Sequence, residues 1–313
     1  MQVTIIIVNW NAGNLLAEAI TSISEYHQGL VASIIIVDNA SSDDSLSRIE
    51  AIKKFPCPLK IIRNLENIGF AAACNQGATI ASTPYLLFLN PDTRLYENSL
   101  DTPLSFMANP ENAKIGICGI QLINESGQVD RSCARFPSLQ SITAHAIGLN
   151  RIILPLEHFM SEWDHMQTRQ VDQVIGAFFL VRRDLFEKLR GFDERFFVYF
   201  EEVDFSFRAY HLGWQSVYVA DAQAFHAGGG TSKQVKAARL FYSIRSRLLY
   251  GFKHFSPAAA WAVLAVTILL EPISRIVFSV VRASWRDAFY TLQGYRMLLQ
   301  ALPSTLRTAT RKN

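Results

Sequence analysis

The chain has 313 residues, half of them apolar and 18% charged, which excludes a disordered or fibrous protein and suffices for one large domain or two small ones. Its formal net charge of +3 is unevenly spread: residues 236–313 carry twelve Lys and Arg against two Asp and Glu, the remainder eighteen against twenty-five. An acidic body with a basic C-terminal region points to contact with an anionic surface, either lipid or nucleic acid.

Residues 2–10 form a continuous apolar run, as expected of a strand buried on both faces. No basic n-region precedes it and the run stops at Asn9, so it reads as a first strand rather than a signal peptide. Asn11 is placed to cap a helix over about residues 15–24. A second buried strand spans 33–38, and a polar loop rich in helix N-caps leads to a helix over 46–54. A third strand covers 59–63. Asn67-Ile68-Gly69-Phe70 then turns into a helix of small residues, 71–80. A fourth strand, 85–89, stops at Asn90-Pro91-Asp92, because proline cannot continue a ladder.

Strands alternating with helices predict a parallel, doubly wound, Rossmann-like sheet. No G-x-G-x-x-G follows the first strand and no Walker lysine loop is present, which disfavours dinucleotide and P-loop readings. The strands end instead in Asn9, Asp38 and Asn90 with Asp92. These lie on the edge where open α/β sheets bind ligands. Each alone is explained by turn chemistry. Together they suit hydrogen bonding to a nucleotide's base and ribose. Asp92 suits a hard divalent cation completed by substrate phosphates, or simply the cap of the next turn.

Further on, 115–123 predicts a strand, 130–137 a basic loop, and 141–170 a helix with a mobile segment. A strand over 173–181 contains Gly176-Ala177, which permits close approach to the backbone. A short helix over 183–189 is ended by Gly191. Glu201, Glu202 and Asp204 follow an aromatic strip, and from Glu202 the spacing suits a helix burying Phe205, Ala209 and Leu212. Acidic residues at a helix start complement its dipole. The alternative is a general base in a partly apolar pocket, where its pKa rises. A strand over 214–220 precedes His226, a candidate ligand on a mobile loop ahead of three glycines. The four cysteines show no C-x-x-C spacing, so neither a zinc site nor a disulfide framework is expected, and a reducing compartment is.

Beyond Arg239 the composition changes. A long helix carries Tyr242, Arg245 and Arg247 to about residue 254. The apolar stretch 257–270 is shorter than the roughly 18–20 residues that span a bilayer, and Glu271-Pro272 interrupts it. Pro272 can open a new helix at its first position. There Glu271, Arg275, Arg282 and Arg286 fall within about 60° at 3.6 residues per turn, and the rest of the surface is apolar. Such a helix is expected to lie in a membrane interface. Packing on the body and a dimer contact are the alternatives. The region is too apolar for a groove-reading helix, so nucleic acid is not the expected partner.

Taken together, these motifs resemble family 2 glycosyltransferases of the GT-A fold, rhamnosyltransferase-like branch, over about residues 2–250. The matching stretches are Ile7-Val8-Asn9-Trp10-Asn11, Val37-Asp38-Asn39-Ala40-Ser41-Ser42-Asp43, Asn67-x-Gly69-Phe70-Ala71-x-x-x-Asn75, Asn90-Pro91-Asp92, Gly176-Ala177-Phe178, Gly191-Phe192-Asp193-Glu194 through Asp204, and His226. The resemblance implies a GT-A domain over 1–235, a mostly parallel central sheet flanked by helices, and a basic, membrane-associating helical region over 236–313. It implies that Val8, Asn9, Trp10 and Asp38 hold the base, and that Asn67, Gly69, Phe70, Asn75 and Asn90 belong to the nucleotide site. Asp92, in the place of the family's D-x-D, would hold Mg2+ or Mn2+, with His226 as a further ligand. Glu202, beside Glu201, would be the base, and Gly176, Ala177 and Asp204 would border the acceptor.

Two positions depart from the pattern: Asn90 stands for the first Asp of D-x-D, removing a negative charge, and Glu202 stands for the usual aspartate base, reaching one methylene farther. The implied reaction is inverting transfer of a sugar, L-rhamnose, from dTDP-rhamnose or a UDP-sugar to a lipid-linked oligosaccharide. The implied location is peripheral, on the cytoplasmic face of the inner membrane. A catalytically inactive, nucleotide-sugar-binding GT-A protein is the alternative. A nucleotidyltransferase would need a Gly- and Lys-rich loop after the first strand, and Trp10-Asn11-Ala12-Gly13 is not one.

Overall fold

The computed structural model of the chain describes residues 2–52, 55, 57–149, 160, 162–228 and 235–310. The expected end of the second helix at 53–54, the middle of the 141–170 stretch, and the glycines after Gly228 lie outside the described residues. By their contacts the residues form two compact units.

The first unit comprises Met1–Arg135, Trp163–Glu194 and Glu201–Thr231. It begins with β1 (Val3–Asn9), α1 (Asn14–Tyr26), β2 (Val31–Asp38), α2 (Ser45–Glu50), β3 (Leu59–Arg63), α3 (Phe70–Thr79) and β4 (Tyr85–Leu89). It continues with β5 (Thr93–Leu95), α4 (Asp101–Ala108), β6 (Ile115–Ile123), β7 (Cys133–Ala134), and, past a helix of the second unit, α5 (Leu139–Ile147), with β8 (Arg169–Val171), β9 (Gln173–Val174) and β10 (Phe178–Arg182). It closes with α6 (Arg183–Lys188), α7 (Glu201–His211) and β11 (Gln215–His226). Among the described residues the main sheet runs β3-β2-β1-β4-β10-β6-β11-β5, with β8 also paired to β11; β7 and β9 form a separate pair. β1 is parallel to β2 and β4. β10 is antiparallel to β4 and β6, and β11 is parallel to β6. The carboxyl ends of β1, β2, β4 and β11 therefore share one edge.

Ile5, Ile7, Ile34, Ile36, Leu87, Leu89 and Leu180 fill the core, as buried parallel strands require. The small residues of α3 serve a close approach: a Cβ at Gly77 would lie 2.7 Å from Ile6 Cγ2. On the other side of α7, Phe205 meets Phe186 and Phe192 at 5.4 and 5.3 Å between ring centroids, and Phe192 meets Phe88 at 4.9 Å.

Several expectations need correction. Asn11 does not cap α1; its Oδ1 accepts from the Ser42 N–H at 2.8 Å, and the helix starts after Gly13 without a side-chain cap. The strand expected over 173–181 is two, β9 and β10, because Gly176-Ala177 lies between segments with different partners. β11 runs on to His226, held by β5, so the histidine is strand-borne and not on a mobile loop. Leu212 follows the end of α7 and is 49% exposed.

The second unit comprises Phe136–Glu162, Arg195–Phe200 and Ser232–Asn313. It contains α5, α8 (Lys236–His254), α9 (Pro257–Ala265), a π-helical turn (Val266–Leu270), α10 (Glu271–Val281) and α11 (Trp285–Thr310). Ile142, Ile244, Leu248, Val263 and Leu298 form its core. Two expectations change here. The helix does not restart at Pro272: α9, the π turn and α10 are one 25-residue helix, long and apolar enough to cross a membrane. Proline removes an N–H and crowds the preceding turn; the wider turn before it, where the Glu271 N–H reaches Val266 O, lets the helix continue. The charged stripe is also broken, since α10 ends at Val281, Arg282 follows it and Arg286 lies on α11, and it is not wholly solvent-facing. Glu271 is 1% exposed and bonded to Arg247 and Arg275, while Ile273, Val277, Val281, Trp285 and Phe289 are exposed. Burial pushes the Glu271 carboxyl up, but the two guanidiniums more than reverse this and hold it at about 2.

Candidate active site

At the carboxyl edge of the sheet, β1 and β2 end side by side, with Asn9 opposite Asp38. Asn9 is fully buried, and its Nδ2 lies 2.7 Å from Asp38 Oδ1, 3.0 Å from Ser41 Oγ and 2.9 Å from Ser45 Oγ. Asp38 Oδ2 accepts from the Ser41 N–H at 3.1 Å. These hydrogen bonds shape the 39–45 loop beside the ends of β1 and β2. Asn39 donates to Gly69 O at 3.0 Å, tying that loop to the start of α3. Asn67 Oδ1 accepts from the Gly69 N–H at 3.0 Å, and Gly69, with φ 90°, makes the turn that places Phe70 as the first residue of α3.

Asn75 faces another way. Its Nδ2 donates to Phe192 O at 2.8 Å and to Glu194 Oε1 at 3.0 Å, and its Oδ1 accepts from the Phe192 N–H at 2.9 Å. It clamps the turn that leads toward the acidic pair.

The end of β4 is a tight turn closed by Thr93 N–H to Asn90 O at 3.1 Å. Asn90 N–H donates to Ala177 O at 3.1 Å, which sets the segment before β10 beside the Asn90-Pro91-Asp92 turn. His226, opposite Thr93 in the ladder, brings its Nε2 to 3.4 Å from Asp92 Oδ1; both are largely buried. No group of three or more His, Cys, Asp or Glu placed to hold a metal ion occurs among the described residues. Asp92 and His226 supply two donors of the types a divalent cation accepts. That fits a cation carried in with substrate phosphates better than an all-protein cage.

Glu201 and Glu202 open α7, and one carboxylate oxygen of each (Oε2) is buried with no hydrogen-bond partner among the described residues. Burial raises the Glu201 carboxyl well above the usual range, and the neighbouring Glu202 charge raises it further. Burial raises Glu202 too, opposed by N–H groups of Glu202 itself, Val203 and Gly176. A buried pair whose two members are solvated differently is the pattern of one protonated and one ionised carboxyl. Cys74 of α3 lies within their field: burial, then the two glutamates, raise its thiol.

Asp204 is fully buried and accepts from Arg208 Nε at 2.7 Å. Arg208 also donates to Leu189 O at 2.8 Å and Gly191 O at 2.9 Å, so Asp204 anchors α7 to that turn. Arg208 was not singled out from sequence, although its spacing four residues beyond Asp204 was the available signal. The contacts of Ser41 and Ser45 with Asn9 Nδ2 have no signal in the sequence beyond their place in a polar loop. The structure therefore brings Asn90, Gly176, Ala177, Glu201 and Glu202 into one stretch and Asp92 with His226 into another on the same unit. Asn75 and Asp204 act as supports.

The sequence profile of the family described as "Glycosyl transferase family 2" matches residues 4–190. The chain is 26% identical over 264 residues to the N-acetylglucosaminyl-diphospho-decaprenol L-rhamnosyltransferase of Mycobacterium tuberculosis, covering 79% of this chain and 82% of that protein. It is 27% identical over 172 residues to rhamnosyltransferase WbbL of Escherichia coli, covering 54% and 62%. The structure of mannosyltransferase PcManGT from Pyrobaculum calidifontis, in complex with GDP-Man and Mn2+, superposes with a TM-score of 0.57 at 16% identity, over 98% of this chain and 85% of that one. Staphylococcus aureus TarS 1-349 in complex with UDP-GlcNAc gives 0.53 at 13% identity, over 95% and 92%. These superpositions show the GT-A fold.

Proposed function

The chain belongs to glycosyl transferase family 2, and from that premise we propose that it moves a sugar, L-rhamnose, from a nucleoside-diphosphate sugar to a lipid-linked glycan in bacterial surface polysaccharide synthesis. The observation that carries the reading is the buried Glu201–Glu202 pair at the start of α7, hydrogen-bonded to Gly176 beside the Asn90-Pro91-Asp92 turn. The rhamnosyltransferase relatives support the choice of sugar, and the decaprenol-linked substrate named for one of them supports a lipid-linked acceptor.

In this reading the 39–45 loop, with Val8, Trp10 and Asp38, forms the base site, and Asn67, Gly69, Phe70 and Asn90 line the ribose and diphosphate. Asp92 and His226 would hold Mg2+ or Mn2+, which would neutralise charge on the departing diphosphate. Glu202 takes the proton of the acceptor hydroxyl as its oxygen bonds to the anomeric carbon. The bond from that carbon to the diphosphate breaks in the same displacement, and the nucleoside diphosphate leaves. Glu201, kept protonated by burial and by its neighbour, leaves Glu202 as the ionised member. Gly176 and Ala177 border the acceptor, and Asp204 supports that side through Arg208. Attack opposite the leaving group inverts the anomeric centre.

The acceptor's lipid would be met at the membrane. The exposed residues Leu269, Ile273, Val277, Val281, Trp285 and Phe289 give the π turn, α10 and the start of α11 an apolar outer surface, while buried Glu271 is paired with Arg247 and Arg275. With one side of the long helix packed inside its own unit, the other side suits the interface rather than a span. The net charge of +10 over residues 236–313 complements anionic lipid. The protein then acts peripherally, on the cytoplasmic face of the cell membrane.

The test is transfer from labelled dTDP-rhamnose and UDP-sugars to a polyprenyl-diphosphate-linked acceptor. Proton NMR of fresh product showing an inverted centre supports the mechanism; retention overturns it.

A further inference from the structure

We propose that α8 is a positioning element for the acidic pair, with Tyr242, Ser246 and Tyr250 fixing the chain that enters Glu201. The inference rests on the reading of Glu202 as the base. Tyr199 and Phe200 have φ of 68° and 72°. Two bulky residues in succession in the left-handed region are strained and persist only where surrounding contacts over-determine them.

Those contacts come from one face of α8. The Phe197 and Tyr242 rings stack at 4.7 Å with 15° between planes. Ser246 Oγ, fully buried, donates to Val198 O at 2.8 Å. The Phe200 ring lies 5.6 Å from that of Tyr250. Arg245 Nη1 donates to Arg195 O at 3.3 Å, and the Lys253 ammonium sits 5.8 Å from the Phe196 ring. Positions 242, 245, 246, 250 and 253 recur at helical spacing, so a single face holds five of the six residues from 195 to 200. Of the strained pair, Tyr199 lies between the anchors at Val198 and Phe200, and Phe200 is itself anchored. Phe200 is peptide-bonded to Glu201, so relaxation of either φ rotates the first turn of α7. Misplacing a catalytic group by about 1 Å can cost on the order of 10²-fold in rate.

The test uses the full chain in the transfer assay. Ser246→Ala and Tyr242→Ala are expected to lower kcat by about 10- to 100-fold, leaving donor KM and nucleotide affinity unchanged. They should also move the acid limb of the kcat/KM profile to lower pH, because a loosened entry admits water to the carboxylates. Tyr242→Phe, which keeps the ring stack, should restore wild-type values. Ser279→Ala, which removes a buried hydroxyl bonded to Arg275 O on α10, should leave the profile unchanged. Ser246→Ala and Tyr242→Ala proteins that melt earlier but keep kcat and the acid limb would overturn the inference, as would a Tyr242→Phe protein as impaired as Tyr242→Ala. Glu202→Gln separates the levels. If it has no effect, the reading of the site fails; if it abolishes transfer while the α8 variants are unaffected, only this inference does.

Discussion

The backbone N–H of Gly176 donates to the Glu202 carboxylate, and a Cβ at 176 would lie 4.0 Å from Glu202 Cδ. The next residue, Ala177, accepts the N–H of Asn90. Two consecutive residues therefore join the acidic start of α7 to the strand end that bears Asp92. Glu202→Gln keeps the shape of this bridge and removes the proposed base. It should lower kcat by about 10²- to 10⁴-fold while nucleotide affinity, measured by calorimetry, stays at the wild-type value.

The same burial sets the pH dependence. Glu201 and Glu202 titrate above the ordinary carboxylate range, and the base must be ionised, so kcat/KM should rise with pH through an acid limb above that range. Stability has the opposite sign. A raised folded-state pKa contributes stability below the unfolded value, about 4.3, that is lost as pH rises through the folded value. Glu201→Gln should accordingly raise Tm at pH 8 and have little effect at pH 4. A Tm gain independent of pH would contradict the assignment.

Gly191 sits at φ 72°, and a Cβ there would lie 2.5 Å from Asn75 Oδ1. Gly191→Ala should push aside the side chain that bonds both Phe192 backbone groups. Strain and the lost hydrogen bonds together should cost about 1–3 kcal/mol, read from urea unfolding.

Much of the fold was legible because β1, β2 and β4 are mainly apolar, buried runs that stop at Asn, Asp or Asn-Pro, and α3 turns its small residues toward the sheet. Less legible were the elements set by distant partners. β5 is three residues long and forms because β11 reaches far enough to pair with it. Gly176-Ala177 read as strand interior, yet it separates two strands with different neighbours. The acidic pair was visible as a cluster, but not the support of Asp204 by Arg208, nor the capture of Asn75 by Phe192. Helical periodicity placed Glu271 and Arg275 on one face of α10, but not the break after Val281 that puts Arg282 past the helix end and Arg286 on α11, nor the burial of Glu271 by Arg247 from a different helix.

The exposed surface of α10 and α11 bears on the membrane proposal. Val277→Glu with Phe289→Glu places two charges among residues that are 53% and 63% exposed, so folding should be little affected. Sedimentation with vesicles containing anionic lipid should show wild type bound, and the double variant bound at least tenfold more weakly. Equal binding would place the membrane contact elsewhere or remove it.

The central claim, a nucleotide-sugar site at the carboxyl edge built around Asp92, is tested most directly by calorimetry. The titration compares dTDP, UDP and GDP, with and without Mn2+ or Mg2+, on wild type and Asp92→Ala. Binding of one nucleotide that strengthens with the metal and is lost in the variant is the expected result. Absence of binding by every nucleotide under every condition, or equal binding by the variant, would contradict it.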